Sequence, residues 1–306
     1  MRRAFAQTLV ELAADDPRIV LVTADLGFGV LEDFAAAHPD RFYNVGVAEA
    51  NMVGLATGLA EAGYIPFLYS IATFATLRPY EQWRNGPVVH GLPVRLVGVG
   101  GGFEYGANGI THSALEDLGV MRLLAGTQIV VPADERSARQ ALRATYDTAH
   151  PIYYRISKRE GFEVAGLSGN FDATGVECIC EGNDALIVAI GTIAAEAREA
   201  AEALADRDIA ATVAVVSSLA PAPREALEAL LGRFGIVATV EAHRDIGGLG
   251  SLVAEIIAES GLNCRQVRLG IDAPGAGLSG SEDFMNARYG LDGRTIAARV
   301  GKAVAQ

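Results

Sequence analysis

Short runs of β-branched and other apolar residues alternate with stretches of helical periodicity through the first half of the chain. The runs are short enough to be strands buried on both faces, and they predict strands at residues 19–23, 42–47, 64–69, 94–99 and 128–131. The helical stretches between and after them predict helices at residues 3–14, 51–61, 79–86 and 133–150, with Asn51 as the N-cap of the second. This alternation predicts a mostly parallel, doubly wound sheet.

The pattern restarts after residues 161–173, a stretch of turn-forming residues that is typical of a linker. Further strands are predicted at residues 185–191, 211–216, 235–240 and 264–269. Helices are predicted between them at residues 194–205, 223–234 and 250–260. A chain of 306 residues is long enough for two domains. We therefore expect an α/β fold with two doubly wound domains, at residues 1–165 and 174–306.

Composition excludes several classes of function. Half of the residues are apolar, yet no apolar run reaches the about 18 residues that a membrane span requires, so we expect a cytoplasmic protein. A net charge of −12 disfavours nucleic-acid binding, and any anionic substrate must meet a local cluster of Arg or Lys. The three cysteines, Cys178, Cys180 and Cys264, form neither a disulfide framework nor a typical metal pattern. We expect no metal site in this chain.

Glycine-rich stretches at residues 98–109 and 247–250 indicate backbone that turns tightly or approaches a ligand closely. Neither stretch places G-x-G-x-x-G between a strand and a helix, and neither forms a G-x-x-x-x-G-K phosphate loop. We therefore do not expect a nucleotide site.

Glu49 stands where a predicted buried strand gives way to a helix. Ligand sites of doubly wound sheets cluster at the carboxyl ends of strands, where a desolvated carboxylate is suited to proton transfer. The same position also suits a carboxylate that caps the helix and meets its dipole. The residues alone leave both interpretations open.

An ordered set of motifs resembles the transketolases and the 1-deoxyxylulose-phosphate synthases. The segment Gly-Val-Ala-Glu-Ala-Asn at residues 46–51, followed by Gly-Leu-Ala-Thr-Gly-Leu-Ala at residues 54–60, is similar to their pyrimidine-binding domain. Further matching segments follow in the family's order at residues 72–82, 108–112, 151–158 and 241–251, and Asp25 in Thr-Ala-Asp-Leu precedes them. The resemblance covers nearly the whole chain.

The resemblance implies that thiamine diphosphate is the cofactor. It implies that Glu49 hydrogen-bonds the ring nitrogen N1′ of the aminopyrimidine and that the ring stacks on Phe74. His112, in Gly-Ile-Thr-His, matches the histidine that faces the reacting carbon and the substrate oxygens. The remaining candidates for the cofactor pocket are Asp25, Leu77 and Tyr80.

The resemblance also implies a set of substrate contacts. Basic residues for a sugar phosphate match Arg78, Arg155 and Lys158, although surface ion pairing is the alternative for each. Asn108 stands where an aspartate usually contacts a donor hydroxyl, and Gly100 stands where standard transketolases have a phosphate-contacting histidine. These two departures argue against the usual ketose phosphate donor. A final candidate, His243, would reach the site of a neighbouring subunit.

The segment that binds the diphosphate in this family, Gly-Asp-Gly with a downstream Asn, does not occur in the sequence. The Asp292-Gly293 pair follows Leu291 and lies near the carboxyl terminus. The resemblance thus implies that a separate subunit, matching the amino-terminal part of transketolase, holds the diphosphate and its Mg²⁺ or Ca²⁺. We expect a homodimer of this chain carrying two such partners, a heterotetramer.

The expected activity is transfer of a two-carbon ketol unit between sugars or sugar phosphates. Three alternatives remain: acetyl transfer from pyruvate, as in deoxyxylulose-phosphate synthase, the beta subunit of a 2-oxo acid dehydrogenase, and a noncatalytic scaffold subunit.

Overall fold

The computed structural model describes residues 1–273 and 277–306. Six strands from the first half of the chain lie in one parallel sheet, in the order β5-β6-β4-β3-β1-β2. They are β1 (Ile19–Thr23), β2 (Phe42–Asn44), β3 (Ile65–Ile71), β4 (Arg95–Val99), β5 (Gln128–Val130) and β6 (Ile152–Ile156).

The second half contributes β7 (Glu177–Cys180), β8 (Ala185–Ile190), β9 (Ala211–Val216), β10 (Ser218–Ala220), β11 (Ile236–Arg244) and β12 (Arg265–Ile271). Five of these strands form a sheet in the order β12-β11-β8-β9-β7, in which β7 is antiparallel to β9 and the other neighbours are parallel. The sixth, β10, leaves this sheet and pairs antiparallel with β5 as the seventh strand of the first sheet.

Helices connect the strands of both sheets. In the first half they are α1 (Arg2–Asp15), α2 (Glu32–Ala37), α3 (Glu49–Glu61), α4 (Ala72–Leu77), α5 (Tyr80–Trp83), α6 (Asp117–Arg122) and α7 (Glu135–Thr145). In the second half they are α8 (Ala194–Ala205), α9 (Arg224–Leu231), α10 (Leu249–Glu259), α11 (Glu282–Arg288) and α12 (Gly293–Val304). Among the described residues, every helix is too short or too polar to cross a membrane.

The predicted α/β architecture is confirmed, with local corrections. The strand predicted at residues 42–47 ends at Asn44, and α3 begins at Glu49 with Ala48 as its N-cap, so the prediction of Asn51 as N-cap is wrong. The strands β6, β7 and β10 were not among the predicted elements. The most central of them, β6, is buried along its whole length between β4 and β5.

The two halves share a hydrophobic core. One cluster of buried side chains includes Leu68 and Leu96 of the first sheet together with Val188 and Val216 of the second. The pairing of β10 with β5 adds backbone bonds to this contact. We retain a domain boundary within residues 166–173, which have irregular backbone, as a proposal. The shared core therefore packs the first sheet against the second half of the chain.

Candidate active site

The candidate residues converge because successive parallel strands end at the same edge of the first sheet. Asp25 follows β1, Glu49 follows β2, and Phe74 and Arg78 follow β3. The loop that carries His112 follows β4. This edge, at the carboxyl ends of the strands, is where doubly wound folds bind ligands.

Glu49 is a buried carboxylate whose hydrogen bonds go to side chains from other elements. Its side chain is only 2% exposed. The hydroxyl of Ser70, near the end of β3, donates to Oε1 at 3.1 Å. Arg78 Nη1 donates to Oε1 at 3.2 Å and to Oε2 at 3.0 Å. Glu49 is the first residue of α3, where the helix dipole favours a negative charge. Its carboxylate is nevertheless directed to Ser70 and Arg78.

Arg78 also covers an aromatic ring. It lies directly after α4, and its guanidinium carbon is 3.9 Å from the centroid of the Phe74 ring. Its side chain is 46% exposed. A cation over an aromatic face is attracted by the ring quadrupole, so the guanidinium is held from below by the ring and at its edge by Glu49.

His112 also contacts Phe74. The two ring centroids are 5.1 Å apart in an edge-to-face arrangement. The Nδ1 atom of His112 is 3.0 Å from the hydroxyl of Thr111. Asn108 lies exposed just before Gly109, whose φ of 82° is a left-handed conformation that favours glycine. The turn thus precedes the segment that brings His112 beside Phe74.

The other cofactor candidates differ in placement. Asp25 is exposed and exchanges two hydrogen bonds with Asn44, with its backbone N–H 3.1 Å and its Oδ1 2.9 Å from the Asn44 amide. Leu77 is 45% exposed at the end of α4. Tyr80 donates its hydroxyl proton to the carbonyl of Val120 at 2.9 Å, which gives it a packing role against α6.

The space opposite Gly100 is filled by an aromatic ring that the sequence did not single out. A side chain at Gly100 would come within 2.3 Å of the Tyr105 ring, so glycine is required there. Lys158, half-buried, holds its Nζ atom 4.7 Å from the centroid of the same ring. Tyr105 therefore lies between Gly100 and Lys158.

Arg155, predicted as a substrate anchor, is buried and paired inside the chain. Its side chain is 5% exposed, and its Nε lies 3.1 Å from the fully buried Oδ2 of Asp117. Its Nη2 donates to the carbonyls of Ala114 at 3.0 Å and Ala242 at 2.7 Å. Tyr153 donates to the same Asp117 oxygen at 2.7 Å. Arg155 joins the two halves of the chain from the inside.

His243, predicted to reach the site of a neighbouring subunit, is also interior in this chain. It is fully buried, its Nε2 accepts the N–H of Gly119 at 3.1 Å, and its Nδ1 donates to the Arg244 carbonyl at 2.8 Å. Burial lowers the pKa of His243 and favours this neutral form. Its partners fix the ring between α6 and β11.

The second glycine-rich stretch, residues 247–250, contacts the side chain of Glu241. The carboxylate of Glu241 accepts the backbone N–H groups of Leu249 and Gly250, each at 2.8 Å, at the first turn of α10. A side chain at Gly248 would come within 1.9 Å of that carboxylate. Burial raises the pKa of Glu241 to about 7. The absence of a side chain at Gly248 therefore leaves space for the Glu241 carboxylate at the amino terminus of α10.

Within residues 1–273 and 277–306, no group of three or more His, Cys, Asp and Glu side chains is placed to hold a metal ion.

Comparisons with known proteins identify the family. The description "Transketolase, pyrimidine binding domain" matches residues 1–162, and "Transketolase, C-terminal domain" matches residues 175–296. The chain is 35% identical over 299 residues to the 6-deoxy-6-sulfo-D-fructose transketolase subunit SqwH of Clostridium sp. (strain MSTE9), covering 97% of this chain and 92% of that protein. It is 32% identical over 302 residues to the 1-deoxy-D-xylulose-5-phosphate synthase of Dehalococcoides mccartyi (strain ATCC BAA-2266), covering 97% of this chain and 46% of the synthase.

A solved structure described as "Split gene transketolase, inactive beta4 tetramer" superposes with a TM-score of 0.88 at 36% identity, covering 99% of this chain and 97% of the other. The two matched domains occur in the order that the motifs predicted. They agree with the two-sheet fold and with the nearly full-length similarity to a transketolase subunit. The chain belongs to the transketolase family, and it carries that family's pyrimidine-binding domain followed by its C-terminal domain.

Proposed function

We propose that this chain is one of the two subunits of a thiamine diphosphate-dependent transketolase, which transfers a two-carbon ketol unit between sugars or sugar phosphates. One observation carries the proposal: a buried carboxylate, Glu49, already holds a planar cation against the face of an aromatic ring. A flat, nitrogen-rich ring that needs one acceptor and one stacking surface fits the same arrangement.

The residues of this chain would each have a defined task. Glu49 would accept a hydrogen bond from the ring nitrogen N1′, in a buried position where the bond is strong. Phe74 would stack on the aminopyrimidine, a contact worth about 0.5–1.5 kcal/mol beyond its buried area. His112, beside Phe74, would hold or pass a proton at the substrate oxygens. When bound, thiamine diphosphate supplies the electron sink for breaking and forming the carbon–carbon bond.

A second subunit is part of the proposal because the sequence lacks Gly-Asp-Gly. The partner would match the amino-terminal part of transketolase and would hold the diphosphate and a Mg²⁺ or Ca²⁺ ion. The similar split-gene transketolase supports this division, because a tetramer of its beta subunits is inactive. The proposed active assembly is a homodimer of this chain with two partners.

The proposed substrate class is a sugar with an anionic group. Arg78, which contacts Glu49 and Phe74, and Lys158, which lies over the Tyr105 ring, are the proposed cations for that group. Asn108 can both donate to and accept from a hydroxyl. The relative named for 6-deoxy-6-sulfo-D-fructose gives independent support for an anionic ketose. Acetyl transfer from pyruvate stays as the second candidate, because the chain is also 32% identical to a deoxyxylulose-phosphate synthase.

Reconstitution tests the proposed activity and separates it from the second candidate. The chain would be produced together with a protein from the same genome that carries Gly-Asp-Gly and a downstream Asn. Ketoses, sulfo-sugars, sugar phosphates and pyruvate would be screened as donors, with products followed by mass spectrometry and released CO₂ collected. We expect products that differ from donor and acceptor by two carbons, formed without CO₂. Stoichiometric CO₂ from pyruvate would instead establish acetyl transfer.

A further inference from the structure

Arg78 makes, with its own side chain, the two contacts that the proposed site offers to an aminopyrimidine. Its guanidinium lies 3.9 Å above the ring of Phe74. Its Nη1 reaches both carboxylate oxygens of Glu49, at 3.2 and 3.0 Å. A guanidinium is planar, positively charged and surrounded by N–H donors in its plane. These are the features that a protonated aminopyrimidine would bring to the same two partners.

We propose that Arg78 is an internal latch, meaning a side chain that closes the Glu49–Phe74 site as long as no cofactor is bound and that the cofactor must displace. The inference rests on the proposed function. It follows from exclusion: a flat group that contacts both the Glu49 carboxylate and the face of Phe74 that Arg78 covers would take the place of the Arg78 guanidinium.

The latch has a physical reason to close. A carboxylate that is 2% exposed is costly to keep ionised unless it is paired and hydrogen-bonded. Ser70 provides one neutral hydrogen bond to Glu49, whereas Arg78 provides both a countercharge and a donor to each oxygen. In the free chain, the pair with Arg78 therefore compensates for the burial of the Glu49 carboxylate and holds it in place.

The latch can also open without disturbing the fold. Arg78 follows the last residue of α4, and its side chain is 46% exposed, so rotation about its own bonds carries the guanidinium into solvent. The helix that precedes it stays anchored by its buried residues, which include Ala72, Ala75 and Thr76. Once released, the cation stands at the rim of the site, where an anionic substrate would meet it.

The first test uses the free chain and ethylguanidinium as the probe, followed by saturation-transfer NMR at millimolar concentration. Arg78→Ala should leave a slot that the probe enters, with a signal several-fold stronger than that of the wild type. Adding Glu49→Gln to Arg78→Ala should remove the gain. Arg84→Ala, which removes an exposed arginine six positions away, should behave like the wild type. Equal signals from wild type and Arg78→Ala would overturn the latch.

The second test uses the two-subunit complex and calorimetric titration with thiamine diphosphate and Mg²⁺. A site that is closed nine-tenths of the time binds on the order of 10-fold more weakly, so Arg78→Ala should bind the cofactor about 10-fold more tightly than the wild type and Arg84→Ala. Unchanged or weaker binding would overturn the latch and leave the proposed function standing. If no complex binds thiamine diphosphate, the proposed function and the latch's role in it are overturned. The ethylguanidinium result would still report separately on the contact between Arg78 and Glu49.

Discussion

Glu49→Gln is expected to reduce turnover by the two-subunit enzyme by about 10²–10⁴-fold, the range associated with loss of a group that positions or transfers a proton. Glutamine keeps the shape of the side chain and can still accept from Ser70, so the buried pocket should stay folded. It replaces one oxygen by an amide group and removes the charge that the N1′ contact requires. Initial rates of two-carbon transfer with the partner present would measure the loss.

The control for this variant lies on the same helix. Glu61→Gln removes an exposed carboxylate from the last residue of α3, far from the site, and should leave turnover within about twofold of the wild type because surface substitutions have small effects. Circular dichroism and melting temperature of both variants would show that the fold is retained. Turnover by folded Glu49→Gln at a substantial fraction of the wild-type rate would contradict the role given to Glu49.

Asp117→Ala is expected to have the largest effect on stability. Asp117 is fully buried and shares its Oδ2 atom between Arg155 at 3.1 Å and the hydroxyl of Tyr153 at 2.7 Å. Its removal takes away the carboxylate that pairs directly with the buried guanidinium of Arg155, and breaking a buried pair in this way costs about 3–5 kcal/mol. Because Arg155 also donates to Ala242 in the second half of the chain, the loss should weaken the contact between the two halves.

Urea unfolding of the single chain would measure this free energy, and Glu255→Ala is the matched control. Glu255 also pairs with an arginine of α6, Arg122, but its side chain is 44% exposed. Exposed pairs contribute about 0–1 kcal/mol, so this variant should unfold close to the wild-type midpoint. A loss below 1 kcal/mol for Asp117→Ala would show that Arg155 finds other compensation and that the pair does not hold the two halves together.

Periodicity predicted the strands whose residues are uniformly apolar, as β1 shows, since its predicted and observed limits coincide at residues 19 and 23. It did not predict β6, whose sequence Ile-Tyr-Tyr-Arg-Ile carries a charge at a buried position. The charge is tolerated because Asp117, 38 positions earlier in the chain, neutralises it. Likewise, β10 exists because it pairs with β5 across the domain boundary. Neither partner is visible in a local pattern.

The proximity of Glu49, Phe74 and His112 follows from the parallel topology that the sequence predicted. The same reasoning did not predict that Arg155 and His243 are buried, because matching a basic residue to a family position does not reveal which internal partners it has. The contact of Arg78 with Glu49 joins residues 29 positions apart. It depends on the angle at which α4 leaves β3, which periodicity does not determine.

Calorimetric titration of thiamine diphosphate with Mg²⁺ into this chain alone, into its partner alone and into their complex tests the central claim most directly. That claim is that Glu49 acts on a cofactor whose diphosphate a second subunit holds. We expect tight, metal-dependent binding by the complex and little binding by this chain alone. Tight, metal-dependent binding by this chain in the absence of any partner would contradict the account.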